Sequence, residues 1–311
     1  MDTLQTIGET ALIKRLVGRL ATGRDVVVGP GDDCAVVRAG DEDWLLTSDP
    51  IIESVHFTAE AEPSQIGHKA VARALSDIAA MGGAPRWAVV DVVAPGDTDV
   101  ERLEAIYDGM AATAAAHGLS IVGGDVACGP ALELHVFAVG SVPRDGAVLR
   151  SGTAPGDAIF VTGELGGSRI GTHHLTFEPR LREGQWLREG GWATAMCDIS
   201  DGLSTDLRHL TEASDVGAEL QIDAIPCSEA AMSADDPVTH ALGDGEDFEL
   251  LLTVPADREN DLLNAWSREL SVACTRIGTV TASGQVVGVD AARTHTTLSA
   301  TGYDHFFGDR S

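Results

Sequence analysis

The chain has 311 residues, 44% of them hydrophobic, and a formal net charge of −27 from 48 acidic and 21 basic residues. Since typical domains have about 100–200 residues, this length predicts two domains. The acidity excludes nucleic acid and anionic membranes as partners, because long-range repulsion opposes their approach. The five cysteines show no C-x-x-C spacing, which argues against a disulfide framework or a zinc site. Without an apolar leader or a membrane-length run, we expect a cytoplasmic protein.

Hydrophobic periodicity alternates between that of strands and that of helices, which is typical of an α/β or α+β protein. An amphipathic helix is predicted first, over residues 7–20. Predicted strands follow at 26–28, 35–37, 44–47, 86–93, 120–122 and 132–139. Two longer helices are predicted at 64–81 and 100–117, the second with a capping box formed by Thr98 and Glu101.

Glycine, proline and aspartate are concentrated between residues 141 and 157, which predicts a domain boundary near residue 145. The expected domains are therefore 1–145 and 146–311. In the second half, strands are predicted at 158–162, 217–222, 248–254 and 275–280. Helices are predicted at about 201–216 and at 257–270.

Six short acidic motifs lie where apolar segments end, often beside glycine. They are residues 31–33, 47–49, 75–77, 123–125, 198–201 and 245–247. Carboxylates offer the hard oxygen ligands that Mg²⁺ prefers, and glycines let a phosphate approach the backbone. Each motif alone also fits a polar turn, or a helix N-terminus in the case of Asp198 and Asp201. Their recurrence favours a phosphoryl-transfer site without a Walker loop.

Two single residues have both a structural and a functional interpretation. Asp77 falls inside a predicted helix with apolar neighbours, where it either faces solvent or faces a ligand. His56 follows Asp49 by seven residues and either packs in the interior or reaches the same cleft. The adjacent His173 and His174 are interpreted as solvated.

The chemistry favours metal assistance over a protein base. Two like charges about 4 Å apart repel by about 4 kcal/mol at an effective dielectric of 20, and Mg²⁺ offsets such repulsion between phosphates. A phosphate nucleophile is already ionised near neutral pH and needs no general base. The chain also lacks the sequence signatures of P-loop enzymes, protein kinases and serine hydrolases.

Taken in order, the motifs resemble those of the thiamine-monophosphate kinase family. The resemblance covers residues 29 to 306, nearly the whole chain. It rests on Gly-Pro-Gly-Asp-Asp-Cys-Ala at 29–35, Thr-Ser-Asp at 47–49, Val-His-Phe at 55–57, Ala-Leu-Ser-Asp-Ile-Ala-Ala-Met-Gly at 74–82, Ile-Val-Gly-Gly-Asp at 121–125, Leu-Arg-Ser-Gly at 149–152, Pro-Gly-Asp at 155–157, Asp-Ile-Ser-Asp-Gly-Leu at 198–203, Gly-Glu-Asp-Phe-Glu-Leu at 245–250 and Gly-Tyr-Asp-His-Phe at 302–306.

The resemblance implies direct in-line transfer of the ATP γ-phosphoryl group to thiamine monophosphate, giving thiamine diphosphate and ADP. It also implies a two-domain α/β fold like that of aminoimidazole ribonucleotide synthetase, with mixed sheets, helices packed on one face, and a homodimer formed through N-terminal strands. No general base is implied, and the metal-assisted chemistry would involve Asp125 and Asp201.

The resemblance assigns site residues by motif. Those implied to hold Mg²⁺ are Asp33, Thr47, Ser48, Asp49, Asp77, Asp125, Asp198 and Asp201. Those implied to contact ATP are Tyr107, Gly124, Asp125, Arg150 and Ser200. His56 and Glu246 are implied to contact thiamine monophosphate.

The chain departs from the family pattern at two places. Ala300 occupies a position where relatives often carry an aromatic residue that packs on the substrate ring, a role that Phe306 or Phe307 could take over. The loop at 171–179 is expected to be shorter than in many relatives.

Three alternative functions compete with this interpretation. Selenophosphate synthetase would need a reactive cysteine or selenocysteine near the N-terminus, and no cysteine precedes Cys34. The hydrogenase maturation relative would end in cysteine, whereas this chain ends in Gly-Asp-Arg-Ser. A catalytically silent regulator that binds ATP and Mg²⁺ is supported by Ala300 alone.

Overall fold

The computed structural model describes residues 3–300 and Gly302. The described helices are α1 (Leu4–Ile7), α2 (Glu9–Val17), α3 (Pro63–Ala80), α4 (Val100–Ala116), α5 (Leu181–Glu189), α6 (Leu203–Ala213), α7 (Glu229–Met232), α8 (Pro237–Gly243) and α9 (Glu259–Glu269). The described strands are β1 (Val26–Val28), β2 (Ala35–Ala39), β3 (Glu42–Ile52), β4 (Ala84–Ala94), β5 (Ser120–Cys128), β6 (Glu133–Pro143), β7 (Ala158–Thr162), β8 (Ala195–Asp198), β9 (Gly217–Gln221), β10 (Leu250–Val254), β11 (Cys274–Thr281), β12 (Val286–Val289) and β13 (His295–Thr297). Within these residues, every helix is too short or too polar to cross a bilayer.

The first sheet has six strands in the order β1-β2-β3-β6-β4-β5, and its pairs are antiparallel except β4 with β5. Helices α3 and α4 pack together on one face of this sheet. They cross closely because glycines meet there: a Cβ on Gly67 would lie 2.0 Å from the Ile106 carbonyl oxygen. The opposite face of the sheet carries exposed side chains.

The second sheet has seven strands in the order β13-β12-β9-β11-β7-β10-β8. Its interior strands β7 and β10 are buried along their whole length, which is the burial expected of strands covered on both faces. Leu207 of α6 packs on one face, whereas Leu187 of α5 and Trp266 of α9 pack on the other. Most of the core lies on the two sheets separately, but Ala80 of α3 packs into the core of the second sheet, and Ala72 packs with Phe177 and Phe248.

Two of the acidic motifs lie inside strands rather than at the predicted strand ends. β3 continues through Asp49 and Pro50 to Ile52. Pro50 is tolerated because β3 pairs only with β6 beyond Leu46, so the missing N–H faces no second strand. The predicted glycine turn at 123–125 is likewise part of β5, where Gly124 has φ +154° and pairs with Val90.

Other predictions needed correction at helix ends and for short elements. The N-terminal helix is broken at Gly8, which has φ +73°. The N-cap of α4 is Asp99, whose carboxylate accepts a hydrogen bond from the Glu101 N–H at 3.2 Å, and not Thr98. The short elements α5, α7, α8, β8, β12 and β13 were absent from the predicted set.

Candidate active site

Three carboxylates from both halves of the chain meet between the two sheets. Asp33 lies in the loop between β1 and β2, Asp77 lies in α3, and Asp198 is the last residue of β8. One carboxylate oxygen from each lies within 4.8 Å of the other two. Asp77 therefore faces the two other carboxylates and does not point to bulk solvent. We call Asp33, Asp77 and Asp198 the acidic cluster.

The acidic cluster is only partly neutralised by its neighbours. Arg150 donates a hydrogen bond to Asp33 at 2.7 Å, and the Ser76 hydroxyl donates one to Asp198 at 2.5 Å. Burial raises the pKa of Asp77 and Asp198 well above the ordinary value, and nearby carboxylates raise it further. The Oδ2 atom of Asp33 is buried without a hydrogen-bond partner. Crowded hard oxygens with an orphaned atom fit a divalent cation such as Mg²⁺.

Of the motif at 47–49, only the side chains on one face of strand β3 contribute to this site. Thr47 donates a hydrogen bond from its hydroxyl to Asp77. Asp49 accepts one from Arg73 at 3.2 Å, and its charge contributes to the raised pKa of Asp77. Ser48 lies between them on the strand, so its side chain points to the opposite, exposed face. The structure thus brings Thr47 and Asp49 to the acidic cluster, but not the Ser48 side chain.

A pocket of about 800 Å³ opens beside the acidic cluster, lined by Arg150, Asp201 and Ala300 among others. Burial, followed by the charge of Asp206, raises the pKa of Asp201 to about 7. Asp201 does not cap α6, because the Asp206 carboxylate accepts from the backbone N–H groups of Asp201 and Gly202 at 3.1 and 3.0 Å. Asp201 thus lines the pocket, and the N-cap of α6 is Gly202.

The preceding residue, Ser200, joins this pocket to the Gly245-Glu246-Asp247 segment. Its carbonyl oxygen accepts a hydrogen bond from the Glu246 N–H at 2.7 Å.

Glu246 and His56 are joined through a buried lysine. The Lys69 ammonium donates to the Glu246 carboxylate at 2.7 Å and to the His56 carbonyl oxygen at 2.7 Å. His56 itself is buried, and its Nδ1 accepts from the Ile52 N–H at 3.0 Å. Burial opposes ionisation of Glu246, but the charge of Lys69 prevails and lowers its pKa. His56 and Glu246, two of the residues assigned to thiamine monophosphate, are thus part of one network that Lys69 connects.

Sequence reasoning missed the cations of this network. Arg73 contacts Asp49 at 3.2 Å and Glu246 at 3.7 Å, and Arg169 contacts Glu246 at 3.2 Å. Lys69 could have been recognised from the sequence as a candidate, because it is one of only two lysines in the chain and lies within a predicted helix of apolar character. Arg73, by contrast, gave no such signal.

Tyr107, Gly124 and Asp125 line a separate pocket of about 450 Å³ at the edge of the first sheet. The strand register aligns Gly124 with Asp49 three strands away, a separation of roughly 14 Å. Asp125 is the next residue and pairs with Asp91, on the exposed face of the sheet. A single chain therefore does not bring Asp125 to the acidic cluster.

The remaining histidine and C-terminal predictions have separate outcomes. His173 and His174 are half-buried and hydrogen-bond to the carbonyl oxygens of Asp247 at 3.3 Å and Ser168 at 3.0 Å, so the interpretation as solvated was wrong.

Of the motif at 302–306, only Gly302 is described. Phe306 and Phe307 lie outside the described residues.

Comparison with known proteins identifies the class. A model of the AIR synthase related protein N-terminal domain matches residues 31–142, and one of the C-terminal domain matches residues 154–290. The chain is thus an AIR synthase related protein, and the predicted two-domain α/β fold is confirmed.

Individual relatives identify the family within the AIR synthase related proteins. Thiamine-monophosphate kinase of Salmonella typhimurium is 35% identical, over 96% of this chain and 98% of the relative. A solved structure described as AaThiL complexed with AMPPCP and TMP superposes with a TM-score of 0.86 at 29% identity, over 98% of this chain and 99% of that one. Thiamine-monophosphate kinase from Stenotrophomonas maltophilia gives a TM-score of 0.74 at 33% identity, over 89% and 95% of the two chains. The chain belongs to the thiamine-monophosphate kinase family, as its motifs predicted.

Proposed function

We propose that this protein transfers the γ-phosphoryl group of ATP to thiamine monophosphate, giving thiamine diphosphate and ADP. The observation that carries the proposal is the acidic cluster, in which carboxylates from both domains lie within 4.8 Å of one another. Such a cluster suits a cation that bridges two anionic reactants. Family membership and the AMPPCP and TMP bound to AaThiL support the choice of reactants.

We assign Mg²⁺ as the metal. The ligand set proposed is Asp33, Thr47, Asp49, Asp77, Asp125, Asp198 and Asp201; the Ser48 side chain is left out because it lies on the opposite face of the strand. When bound, Mg²⁺ neutralises the repulsion between the two phosphates. The chain's own residues keep the ligands in place: Ser76 and Thr47 hold carboxylates by hydrogen bonds, and Arg150 neutralises part of the charge on Asp33. The phosphate group of thiamine monophosphate is itself the nucleophile, so no side chain needs to remove a proton.

The two reactants are proposed to occupy different parts of the site. Residues assigned to ATP are Tyr107, Gly124, Asp125, Arg150 and Ser200. Residues assigned to thiamine monophosphate are His56, Glu246 and Ala300. The lowered pKa of Glu246 keeps this carboxylate anionic, which suits the positive charge of a thiazolium ring.

We propose a homodimer formed through the exposed face of the first sheet. Its strands carry exposed apolar side chains on this face, among them Trp87, Val89 and Phe137. An apolar face of this kind typically marks an interface, and a second copy would cover it by two-fold symmetry. Because Asp125 lies on this same face, its metal-binding role would be exercised at the interface rather than within one chain.

Two further assignments complete the proposal. We place the domain boundary near residue 145, giving domains 1–145 and 146–311, since the connection between β6 and β7 spans residues 144–157. We place the enzyme in the cytoplasm, where ATP is supplied.

The direct test is a coupled assay of ADP release with ATP, Mg²⁺ and thiamine monophosphate, with thiamine diphosphate identified by chromatography. Reactions without thiamine monophosphate measure the background ATPase. Activity should depend on both substrates and on Mg²⁺. An absence of ADP above background would refute the kinase and, if ATP still bound, would favour the regulator suggested by Ala300.

A further inference from the structure

Lys69 is a charged side chain with no exposed surface. Burying an ammonium group is unfavourable unless it is paired and hydrogen-bonded. Its two contacts come from different domains: the His56 carbonyl oxygen belongs to the segment after β3, and Glu246 to the segment before β10. An apolar side chain could fill the same volume but could make neither contact.

Glu246 needs such a contact to keep its orientation. Its backbone has φ +56°, a left-handed conformation that non-glycine residues rarely adopt without support from their surroundings. Two other cations reach its carboxylate, but Arg73 lies farther away at 3.7 Å and Arg169 is nearly half exposed. Lys69 makes the shortest of the three ion pairs, and its ammonium also donates to the His56 carbonyl oxygen, which fixes its position.

We infer that Lys69 is a positioning residue for thiamine monophosphate, which holds the Glu246 carboxylate across the domain boundary in the orientation that receives the thiamine moiety. The inference rests on the proposed function, in which Glu246 contacts this substrate. Lys69 is held away from the acidic cluster by its two contacts, so it acts on substrate binding more than on ATP binding.

The test compares Lys69→Met with wild type by calorimetric binding of thiamine monophosphate and by the KM for ATP. We expect binding of thiamine monophosphate to weaken roughly tenfold, as for the loss of one charged hydrogen bond, while the KM for ATP stays within about twofold. Arg38→Met is the matched control, because it removes the cation from another buried carboxylate, Asp43, outside this network. It should lower the thermal stability and leave the affinity for thiamine monophosphate within about twofold of wild type.

A double-mutant cycle separates positioning from a structural role. In a Glu246→Gln background, Lys69→Met should change the dissociation constant for thiamine monophosphate by no more than about twofold, because Lys69 acts through that carboxylate. The double variant leaves no unpaired buried carboxylate, so it can be compared with Glu246→Gln even where Lys69→Met alone does not fold, and a further loss of affinity well above twofold would then overturn the inference. An equal loss of affinity in both backgrounds would overturn the inference, as would a parallel rise in the KM for ATP.

The same measurements distinguish this inference from the proposed function. Wild-type protein that binds thiamine monophosphate but forms no ADP would refute the kinase activity alone. The dissociation constants of the double-mutant cycle would still test the positioning role of Lys69. Wild-type protein that does not bind thiamine monophosphate would refute both.

Discussion

Replacing Asp77 with asparagine should make the metal-free protein more stable and abolish its response to Mg²⁺. The substitution keeps the shape of the side chain and an oxygen that accepts from Thr47, but removes one charge from the acidic cluster. Because the pKa of Asp77 is raised by burial and by neighbouring carboxylates, its charge is unfavourable in the folded protein without a metal. When the metal is bound, the same carboxylate would serve as one of its ligands.

The size of the effect follows from the geometry. Two carboxylates 4.8 Å apart repel by about 3.5 kcal/mol at an effective dielectric of 20. The substitution removes two of the three such pairs, about 7 kcal/mol if all three groups stayed ionised. Proton uptake by the cluster relieves most of this repulsion, so we expect a gain on the order of 1–3 kcal/mol, the usual scale of single substitutions. This corresponds to an increase in Tm of roughly 2–6 °C.

Thermal unfolding with EDTA and with increasing Mg²⁺ tests the prediction, with activity measured in parallel. Wild type should gain stability as Mg²⁺ is added, and Asp77→Asn should not. Asp108→Asn is a suitable control, since Asp108 is an exposed aspartate inside α4. If Asp77→Asn were less stable than wild type in EDTA and still responded to Mg²⁺, the acidic cluster would not be the metal site.

Three other predictions concern the substrates. Asp125→Asn should abolish turnover with little change in Tm, because the side chain is exposed; a wild-type rate would mean that this position is only structural. Ala300→Trp should lower the KM for thiamine monophosphate by adding a ring to the pocket beside Asp201, and an unchanged or higher KM would show that another group already packs there. Burial lowers the pKa of Lys69 from 10.5 to about 8, so the ammonium loses its proton as the pH rises through 8. Affinity for thiamine monophosphate should therefore fall between pH 7 and 9 in wild type, and Lys69→Met should lack this decline.

The long elements were predictable from the sequence because their periodicity agrees with their burial. Helix α3 was expected at 64–81 and lies at Pro63–Ala80, with Leu75 and Ile78 buried around the position of Asp77. Local signals misled at 47–50 and 123–125, where aspartate, proline and glycine are typical of turns. In both places pairing with a neighbouring strand outweighs the local preference, and this pairing depends on residues far along the chain.

The acidic cluster could be predicted residue by residue from the motifs, but its surroundings could not. Lys69 and Glu246 are separated by 177 residues, and no local pattern records which cation faces which carboxylate. The position of Asp125 was also beyond the motifs, because the face on which a strand residue lies depends on the register of the whole sheet.

The acidic cluster takes Asp33 and Asp77 from the first domain and Asp198 from the second, so a cation bound there would be a reversible cross-link between the two domains. We therefore expect unfolding to be less cooperative at low Mg²⁺ than at saturating Mg²⁺, where the two domains should unfold in one transition. The calorimetric trace would then report directly on how much of the chain the ion holds together.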